Sequence, residues 1–241
     1  MMNHVLLGID CGGIHYGSGK SSLGVKSDDG TLLIAEDGES RADEETFSRL
    51  FRELAQRAGD GLIEQLAGIL LVIGPGSYTG LRMGLSFAQG LAMGCRIPIL
   101  PMNRFQVLVS AWEKIQTVHS RRLTLEFPLG GGKFLFGTGS TRDEFAEKRW
   151  ITEKSDLNSS EETDFYSFSS GTFRLGDDQG NLQEVAWESS ILVEMLQSVS
   201  VEEVQAQGLE GAQTANIALE YGSRFHAKTI VERALEREAA L

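Results

Sequence analysis

The hydrophobic pattern opens with three short segments that read as strands. Residues 5–9 form a largely apolar run, which is typical of a buried strand, and Asp10 stands at its carboxyl end. Residues 21–27 and 31–36 alternate enough for two further strands, and the Asp-Asp-Gly sequence at residues 28–30 is a strong turn signal. The chain is therefore predicted to begin with one strand followed by a hairpin.

An amphipathic helix is predicted next, over residues 42–58. Its apolar side chains recur at spacings of three and four, with Ser40 placed to cap its N-terminus and Gly59 to end it. Residues 69–73 then form a second apolar run that suits a buried strand, and a short strand is expected near Ile99.

The most distinctive stretch reads GPGSYTGLRMGLSFAQGLAMG from residue 74 to residue 94. It starts with a sharp turn made by Gly74, Pro75, Gly76, Ser77, Tyr78 and Thr79, and a helix is predicted from about Thr79. Four glycines lie inside this helix, and each costs roughly 0.5–1 kcal/mol relative to alanine. Such a cost is tolerated where another backbone must come close. We therefore expect the helix to pack tightly against a strand layer or another helix.

This composite string resembles the signature of the TsaB family, also called YeaZ. The likeness is dense over residues 74–98, extends weakly to residues 6–10, and beyond Pro101 is one of layout only. The resemblance implies a non-catalytic scaffold that forms a heterodimer with TsaD and supports threonylcarbamoylation of adenosine 37 in tRNA, together with the ATPase TsaE. It also implies that tRNA is contacted only through the complex. A homodimer of this chain stays open as an alternative.

The predicted order of the first half, β-β-β-α-β-α, is that of a ribonuclease-H-like unit. Two such units, each a mixed sheet with packed helices, make up the actin-like ATPase (ASKHA) class of α/β folds. We predict an N-terminal domain over residues 1–101, a degenerate C-terminal copy over 102–220, and a final helix over 221–241. The second half is predicted to hold a helix from Asn103 to Trp112, strands over 123–127, 133–138, 146–152 and 165–168, and a helix over 191–199.

Composition limits the classes of function. The net charge of -12 argues against broad electrostatic binding of nucleic acid by this chain alone. The two cysteines, Cys11 and Cys95, have no paired spacing, so we expect reduced thiols and a cytoplasmic protein. No apolar stretch reaches the roughly 18 residues that span a bilayer. We therefore expect no membrane association.

An actin-like phosphotransferase or ATPase is the alternative function. Asp10 would hold a metal-bound nucleotide, and the loop GSGKSS at residues 17–22 would place Lys20 near the phosphates. However, Gly13 lies one residue too far from Gly19 for a P-loop, and a hairpin follows where a P-loop has a helix. The second half also lacks a carboxylate in PLGGGKF at residues 128–134.

Other cofactor and metal chemistry has little support in the sequence. In the GPGSYTG turn Thr79 occupies the third glycine position of a dinucleotide fingerprint, and the four histidines include no pair at a spacing of three or four. The HxxxH pair of TsaD is absent. We expect no catalytic residues, no bound metal and no cofactor.

Two helices are predicted to form the partner interface, as half of a four-helix bundle. Gly80, Gly84 and Ala88 share one helix face, where a partner backbone can approach. Arg82, in the first turn, either pairs with an acidic neighbour or contacts a partner or nucleotide. The alternative is that the small-residue face packs inward on the chain's own sheet. The predicted interface residues are Phe47, Leu50, Phe51, Leu54, Gly80, Arg82, Gly84, Phe87, Ala88 and Leu91.

Overall fold

The structure is a computed structural model of the chain. It describes residues 4–11, 21–37, 45–116, 122–130, 133–147, 149–153, 163–168, 171–177, 181–186 and 190–221.

The first sheet has five strands in the order β3-β2-β1-β4-β5. The strands are β1 (Val5–Asp10), β2 (Ser22–Ser27), β3 (Leu32–Glu36), β4 (Leu66–Val72) and β5 (Ile99–Met102). The first three form an antiparallel meander, whereas β4 pairs parallel with β1 and β5 parallel with β4. This is the predicted ribonuclease-H-like topology, so the fold class inferred from the hydrophobic pattern is confirmed.

Helices cover both faces of this sheet and also pack against the second sheet. They are α1 (Thr46–Ala58), α2 (Leu62–Gln65), α3 (Tyr78–Cys95), α4 (Arg104–Ile115), α5 (Arg142–Glu147), α6 (Ile191–Ser198) and α7 (Val201–Gln207), and a 3-10 helix spans Gly211–Asn216. Alternation along β1 separates the two cores, because successive side chains of a strand point to opposite faces. Leu7 and Ile9 pack with α1 and α3, while Leu6 packs with α4, α6 and α7.

The second sheet has six strands in the order β11-β10-β9-β6-β7-β8. They are β6 (Arg122–Gly130), β7 (Lys133–Gly139), β8 (Arg149–Glu153), β9 (Thr163–Ser167), β10 (Thr172–Gly176) and β11 (Leu182–Ala186). The meander β6-β7-β8 and the parallel pair β6-β9 repeat the topology of the first sheet. After β9 the pattern departs, since β10 and β11 continue antiparallel. The helical layer of α4, α6 and α7 lies between the two sheets.

Local sequence signals account for most element boundaries. Asn103 caps α4 with a reciprocal pair of hydrogen bonds, in which its side chain accepts from the Gln106 N–H at 2.8 Å and its own N–H donates to the Gln106 side chain at 2.9 Å. Ser77 caps α3 by accepting from the Gly80 N–H. Gly59 ends α1 as predicted, but the helix begins at Thr46 rather than at residue 42, and the predicted cap Ser40 lies outside the described residues.

Several elements were not predicted. The short helices α2, α5 and α7 and the strands β10 and β11 carry weak periodicity, and residues 146–147 end a helix where a strand was expected. The predicted final helix at 221–241 falls outside the described part of the chain, apart from Tyr221. Within the described residues, no helix is both long enough and apolar enough to cross a membrane.

The boundary predicted near residue 101 falls within β5, and the chain returns to the first sheet later in the sequence. Side chains of α6 fill the space over two strand glycines, so that a Cβ on Gly8 would lie 2.7 Å from Leu192 Cδ1, and one on Gly24 would lie 2.9 Å from Leu196 Cδ1. Leu209 then exchanges backbone hydrogen bonds with Ile99 at the edge of the sheet. Residues 191–221 therefore complete the first sheet, although they follow the second in sequence.

The small-residue face of α3 packs inward on the sheet. A Cβ on Gly84 would lie 2.6 Å from Cys11 Sγ, and a Cβ on Gly80 would overlap the Cys11 carbonyl oxygen. Ala88 is fully buried in the same core. The prediction that this face receives a partner backbone is therefore wrong, because the chain's own residue Cys11, directly after β1, packs against these glycines. Phe47, Leu50 and Leu54 of α1 are also buried in this core and are likewise unavailable to a partner.

Gly84→Ala and Gly90→Ala should change the stability of the protein in opposite directions. The first substitution is expected to lower the free energy of unfolding by about 1–3 kcal/mol, because the new methyl meets Cys11. The second lies in the same helix with open space around it, so it should raise that free energy by about 0.5–1 kcal/mol through helix propensity. Urea unfolding followed by circular dichroism measures both. Equal effects of the two substitutions would contradict the inward packing.

Candidate functional site

One buried ion pair organises the end of the first sheet from which the signature turn leaves. Arg104, the first residue of α4, donates from both terminal nitrogens to Asp10, at 2.5 Å to Oδ1 and 3.1 Å to Oδ2. Its Nε donates to the Pro75 carbonyl at 2.9 Å, and its backbone N–H donates to the Gly74 carbonyl at 2.7 Å. The two side chains are 5% and 12% exposed. Arg104 therefore joins β1, the signature turn and α4.

This pairing removes the basis of the predicted nucleotide site. Both carboxylate oxygens of Asp10 accept hydrogen bonds from Arg104 where the phosphotransferase alternative needs them for a metal-bound nucleotide. The assignment of Asp10 to a nucleotide is corrected accordingly to a structural ion pair. Lys20, the other residue of that predicted loop, lies outside the described residues.

Cys11, next to this ion pair, does not have the properties of a nucleophile. Burial raises the pKa of its thiol well above the ordinary value, the negative charge of Asp10 raises it further, and Arg104 opposes both effects. A nucleophilic cysteine needs the opposite shift, towards the thiolate. Cys11 instead contributes packing volume beneath Gly84.

The signature turn is covered on one side by the C-terminal part of the described chain. The Glu220 N–H donates to the Ile73 carbonyl at 2.8 Å, and the Glu220 carbonyl lies where a side chain at position 74 would point. Gly74 has a φ of 124°, which only glycine adopts without strain. The Tyr221 ring lies 4.7 Å from the Tyr78 ring, measured between centroids. Gly74 and Pro75 are thus buried, while Ser77, Tyr78 and Thr79 are exposed.

Arg82 contacts a tyrosine rather than an acidic neighbour within the described chain, and its predicted contact with a partner or nucleotide stays a prediction. It donates a hydrogen bond to the Tyr78 hydroxyl, and its guanidinium carbon lies 4.8 Å from the centre of the Tyr78 ring. No acidic side chain of the described residues forms an ion pair with it. The side chain therefore stays on the surface at the start of α3, held by an aromatic ring.

The solvent side of α1 and α3 forms a continuous surface, which we call the outer face. Phe87 joins the two helices, with its ring centroid 5.6 Å from that of Phe47 and 6.0 Å from that of Phe51. On α3, Met93 is 72% exposed, and a Cβ at Gly90 or Gly94 would meet no atom within 4 Å. The outer face consists of Phe51, Arg52, Ala55, Arg82, Met83, Ser86, Phe87, Gly90, Leu91, Met93 and Gly94.

Four of the ten predicted interface residues therefore lie on the outer face: Phe51, Arg82, Phe87 and Leu91. Their side chains are exposed or half-buried, whereas the other six face the sheet. The exposed Met93 was not among the predicted residues, because the prediction placed the partner on the glycine side of the helix. The prediction also missed Arg104, since an arginine beside a helix cap carries no sign in the sequence that it is buried.

Comparison with known families finds similarity to proteins that are named for tRNA modification. The family model for TsaD, tRNA N6-adenosine threonylcarbamoyltransferase, matches residues 38–120, which include α1, α3 and α4. The TsaB proteins of Haemophilus influenzae and Escherichia coli, both named tRNA threonylcarbamoyladenosine biosynthesis proteins, are 37% identical over 59 residues and 43% identical over 42 residues.

These sequence matches are local. They cover 24% and 17% of this chain and 25% and 18% of the two TsaB proteins. A tRNA N6-adenosine threonylcarbamoyltransferase of Phocaeicola vulgatus is 36% identical over 72 residues, which is 30% of this chain and 21% of that protein. The chain thus matches a quarter or less of the length of these curated relatives.

Likeness in fold extends over nearly the whole chain. Two solved structures from Pseudomonas aeruginosa, one described as YeaZ and one as an uncharacterised protein with similarity to the peptidase YeaZ, superpose with a TM-score of 0.63. The superpositions cover 90% and 91% of this chain and all of the other chain, at 19% sequence identity. The chain is therefore similar in local sequence to TsaB proteins and similar in overall fold to the YeaZ structures.

Proposed function

We propose that this protein is the non-catalytic partner of a TsaD-type threonylcarbamoyltransferase and supports threonylcarbamoylation of adenosine 37 in tRNA. The observation that carries the proposal is the coincidence of local similarity to TsaB with a YeaZ-like fold over nine-tenths of the chain. The ATPase TsaE acts in the same cytoplasmic system. The tRNA is held through the complex, because a chain of net charge -12 has few cations to spare for phosphate.

The outer face of α1 and α3 is the proposed contact with TsaD. It lies within the segment that the TsaD model matches, so the partner is expected to present a related pair of helices. Two similar chains can then pack these pairs about a pseudo-two-fold axis as a four-helix bundle. The half-buried apolar side chains of Phe51, Phe87 and Leu91, with the exposed Met93, supply the apolar centre of the contact. The exposed surface at Gly90 and Gly94 allows a partner helix to approach closely.

The absence of catalysis is proposed from the state of the candidate groups. Asp10 is bound at both oxygens by Arg104, and the pKa of the Cys11 thiol is raised by burial. Neither group is prepared to bind a metal-nucleotide or to attack a carbonyl. An actin-like phosphotransferase, the second candidate, needs a free carboxylate at the end of β1.

Met93→Glu should weaken binding to the TsaD partner while leaving the fold intact. Met93 is largely exposed, so its replacement adds no strain to the free protein, but the interface would bury the new carboxylate. We expect a loss of about 1–3 kcal/mol, or roughly tenfold to a hundredfold in Kd, measured by calorimetry with purified TsaD from the same organism.

Leu182→Glu is the matched control for this experiment. Leu182 is 62% exposed on β11 of the second sheet, and its replacement makes the same change in charge. It should leave the Kd within about twofold of the parent protein. Equal binding by both variants would exclude the outer face around Met93 as the contact with TsaD.

Arg104→Met should destabilise the protein. Removing the guanidinium leaves the Asp10 carboxylate buried without its partner, at a cost of about 3–5 kcal/mol in the free energy of unfolding. The double variant Asp10→Leu, Arg104→Met should recover much of that loss, because no buried charge is left uncompensated. Urea unfolding of both variants measures these changes.

The purified parent protein should not turn over ATP, because both carboxylate oxygens of Asp10 are bound by Arg104. An ATPase assay tests this expectation. ATP turnover that disappears in a folded Asp10→Asn variant would favour the phosphotransferase instead.

A further inference from the structure

A cavity lies at the end of the first sheet opposite to the signature turn. Its volume is about 430 Å³, which is within the range of small-molecule sites. Its lining includes His4, directly before β1, and Leu66 and Ala67 at the start of β4, and these two strands are parallel. The cavity is therefore separate from the pair of Asp10 and Arg104, which lies at the carboxyl end of β1.

Two departures from regular backbone geometry meet at this cavity. Ala67 is an extra residue of β4 where that strand pairs with β1, and it forms a bulge. Arg96, which follows α3, has a φ of 57° and a ψ of 49°, and among the described residues it is the only one other than glycine with a positive φ. Glycine or asparagine usually occupies this left-handed position after a helix. Both Ala67 and Arg96 line the cavity, and such irregularities cluster beside functional sites.

The cavity carries opposite charges that do not neutralise each other. Arg96 and Glu64 both line it, both are exposed, and neither forms an ion pair with any described residue. Burial raises the pKa of the Cys95 thiol at the end of α3, and the nearby Glu64 carboxylate raises it further. A second carboxylate of the lining, Glu210, accepts a hydrogen bond from the Gln213 N–H and caps its own 3-10 helix. Arg96 and Glu64 therefore keep their charges available for a ligand.

The direction of the surrounding helices argues against a phosphate-bearing ligand. Glu64 and Gln65 end α2, Gln205 belongs to the last turn of α7, and Arg96 directly follows α3, so these helices approach the cavity with their carboxyl ends. Such ends present carbonyl oxygens, which accept hydrogen bonds from an ammonium group, whereas phosphate sites use the N–H groups of helix N-termini. A metal is also disfavoured, because nowhere in the described chain do three histidine, cysteine, aspartate or glutamate side chains group as ligands.

We infer that this cavity binds a small zwitterion with an apolar body, namely a free amino acid or a dipeptide with apolar side chains. Arg96 binds the carboxylate, while Glu64 and the carbonyls at the end of α3 bind the ammonium. The buried side chains of Leu66, Ala67 and Ile97 form the apolar part of the lining, which suits the body of such a ligand. This inference concerns the isolated chain and does not depend on the proposed partnership with TsaD.

The test compares four related ligands on the purified full-length protein. Leucine and leucyl-leucine carry both charges, leucinamide lacks the carboxylate, and N-acetylleucine lacks the ammonium. Calorimetry and ligand-observed NMR measure Kd with up to about 20 mM ligand, which covers weak sites. Leucine and leucyl-leucine differ in length, so their comparison shows whether the cavity prefers an amino acid or a dipeptide.

Three substitutions separate the cavity from the rest of the surface. Arg96→Asn removes the cation and introduces a residue that suits the left-handed backbone, and Glu64→Gln removes the anion with little change in shape. Lys133→Gln is the matched control, because it removes one charge from an exposed side chain of β7 in the second sheet. Circular dichroism and melting confirm that each variant is folded.

We expect at least one zwitterion to bind the parent protein about tenfold or more tightly than leucinamide and N-acetylleucine, because each of these loses one charged contact. Arg96→Asn should remove the advantage over leucinamide, and Glu64→Gln should remove the advantage over N-acetylleucine. Lys133→Gln should leave each Kd within about twofold of the parent value.

Several results would overturn the inference. Absence of saturable binding by both zwitterions would show that the cavity does not accept this class of ligand. Tighter binding of leucinamide would indicate a cation site, and tighter binding of N-acetylleucine would indicate an anion site. Zwitterion binding that is unchanged by both cavity substitutions would place the ligand elsewhere on the protein. None of these results bears on the proposed contact with TsaD, which uses a different surface.

Discussion

The position of every element around the signature turn depends on the buried pair between Arg104 and Asp10. A single guanidinium reaches the end of β1, while its Nε and the backbone N–H of the same residue bind the two carbonyls that follow β4. These segments are more than twenty residues apart in sequence, and the pair holds them in one arrangement because a buried charge is costly unless all its partners are in place. The turn therefore presents Ser77 as the cap of α3 at a defined point beside β1.

The glycines of α3 determine how closely the helix packs on the first sheet. Gly80 and Gly84 allow the helix to lie directly against Cys11, so close that a methyl group at either position would collide with it. Gly90 and Gly94, on the same helix, face open space. One pair of glycines thus allows the helix to pack closely on its own sheet. The other pair leaves the outer face without side chains at two positions. One sequence motif serves internal packing and the proposed docking surface at the same time.

Prediction from the sequence succeeded where the signal is local and failed where it depends on distant contacts. The strand meander, the cap at Asn103 and the end of α1 at Gly59 follow from periodicity and from short-range hydrogen bonding, and the structure contains all three. The small-residue face of α3 was wrongly predicted to receive a partner, because small residues permit close approach without indicating which backbone approaches. The return of residues 191–221 to the first sheet could not be predicted either. Gly8 and Gly24 lie on different strands, and they leave space for α6 only when those strands are paired in the sheet.

The sequence by itself determined the class of fold, the relation of the glycine-rich stretch to TsaB, and the charge of the chain. These follow from hydrophobic spacing, from the order of residues in one continuous segment and from composition. Only the tertiary structure decided that Asp10 is held by Arg104, that Cys11 is buried beneath Gly84, and that Arg52 and Arg82 remain on the surface while Arg49 and Arg57 are paired. The physical reason is that burial and charge pairing depend on residues brought together from distant parts of the chain.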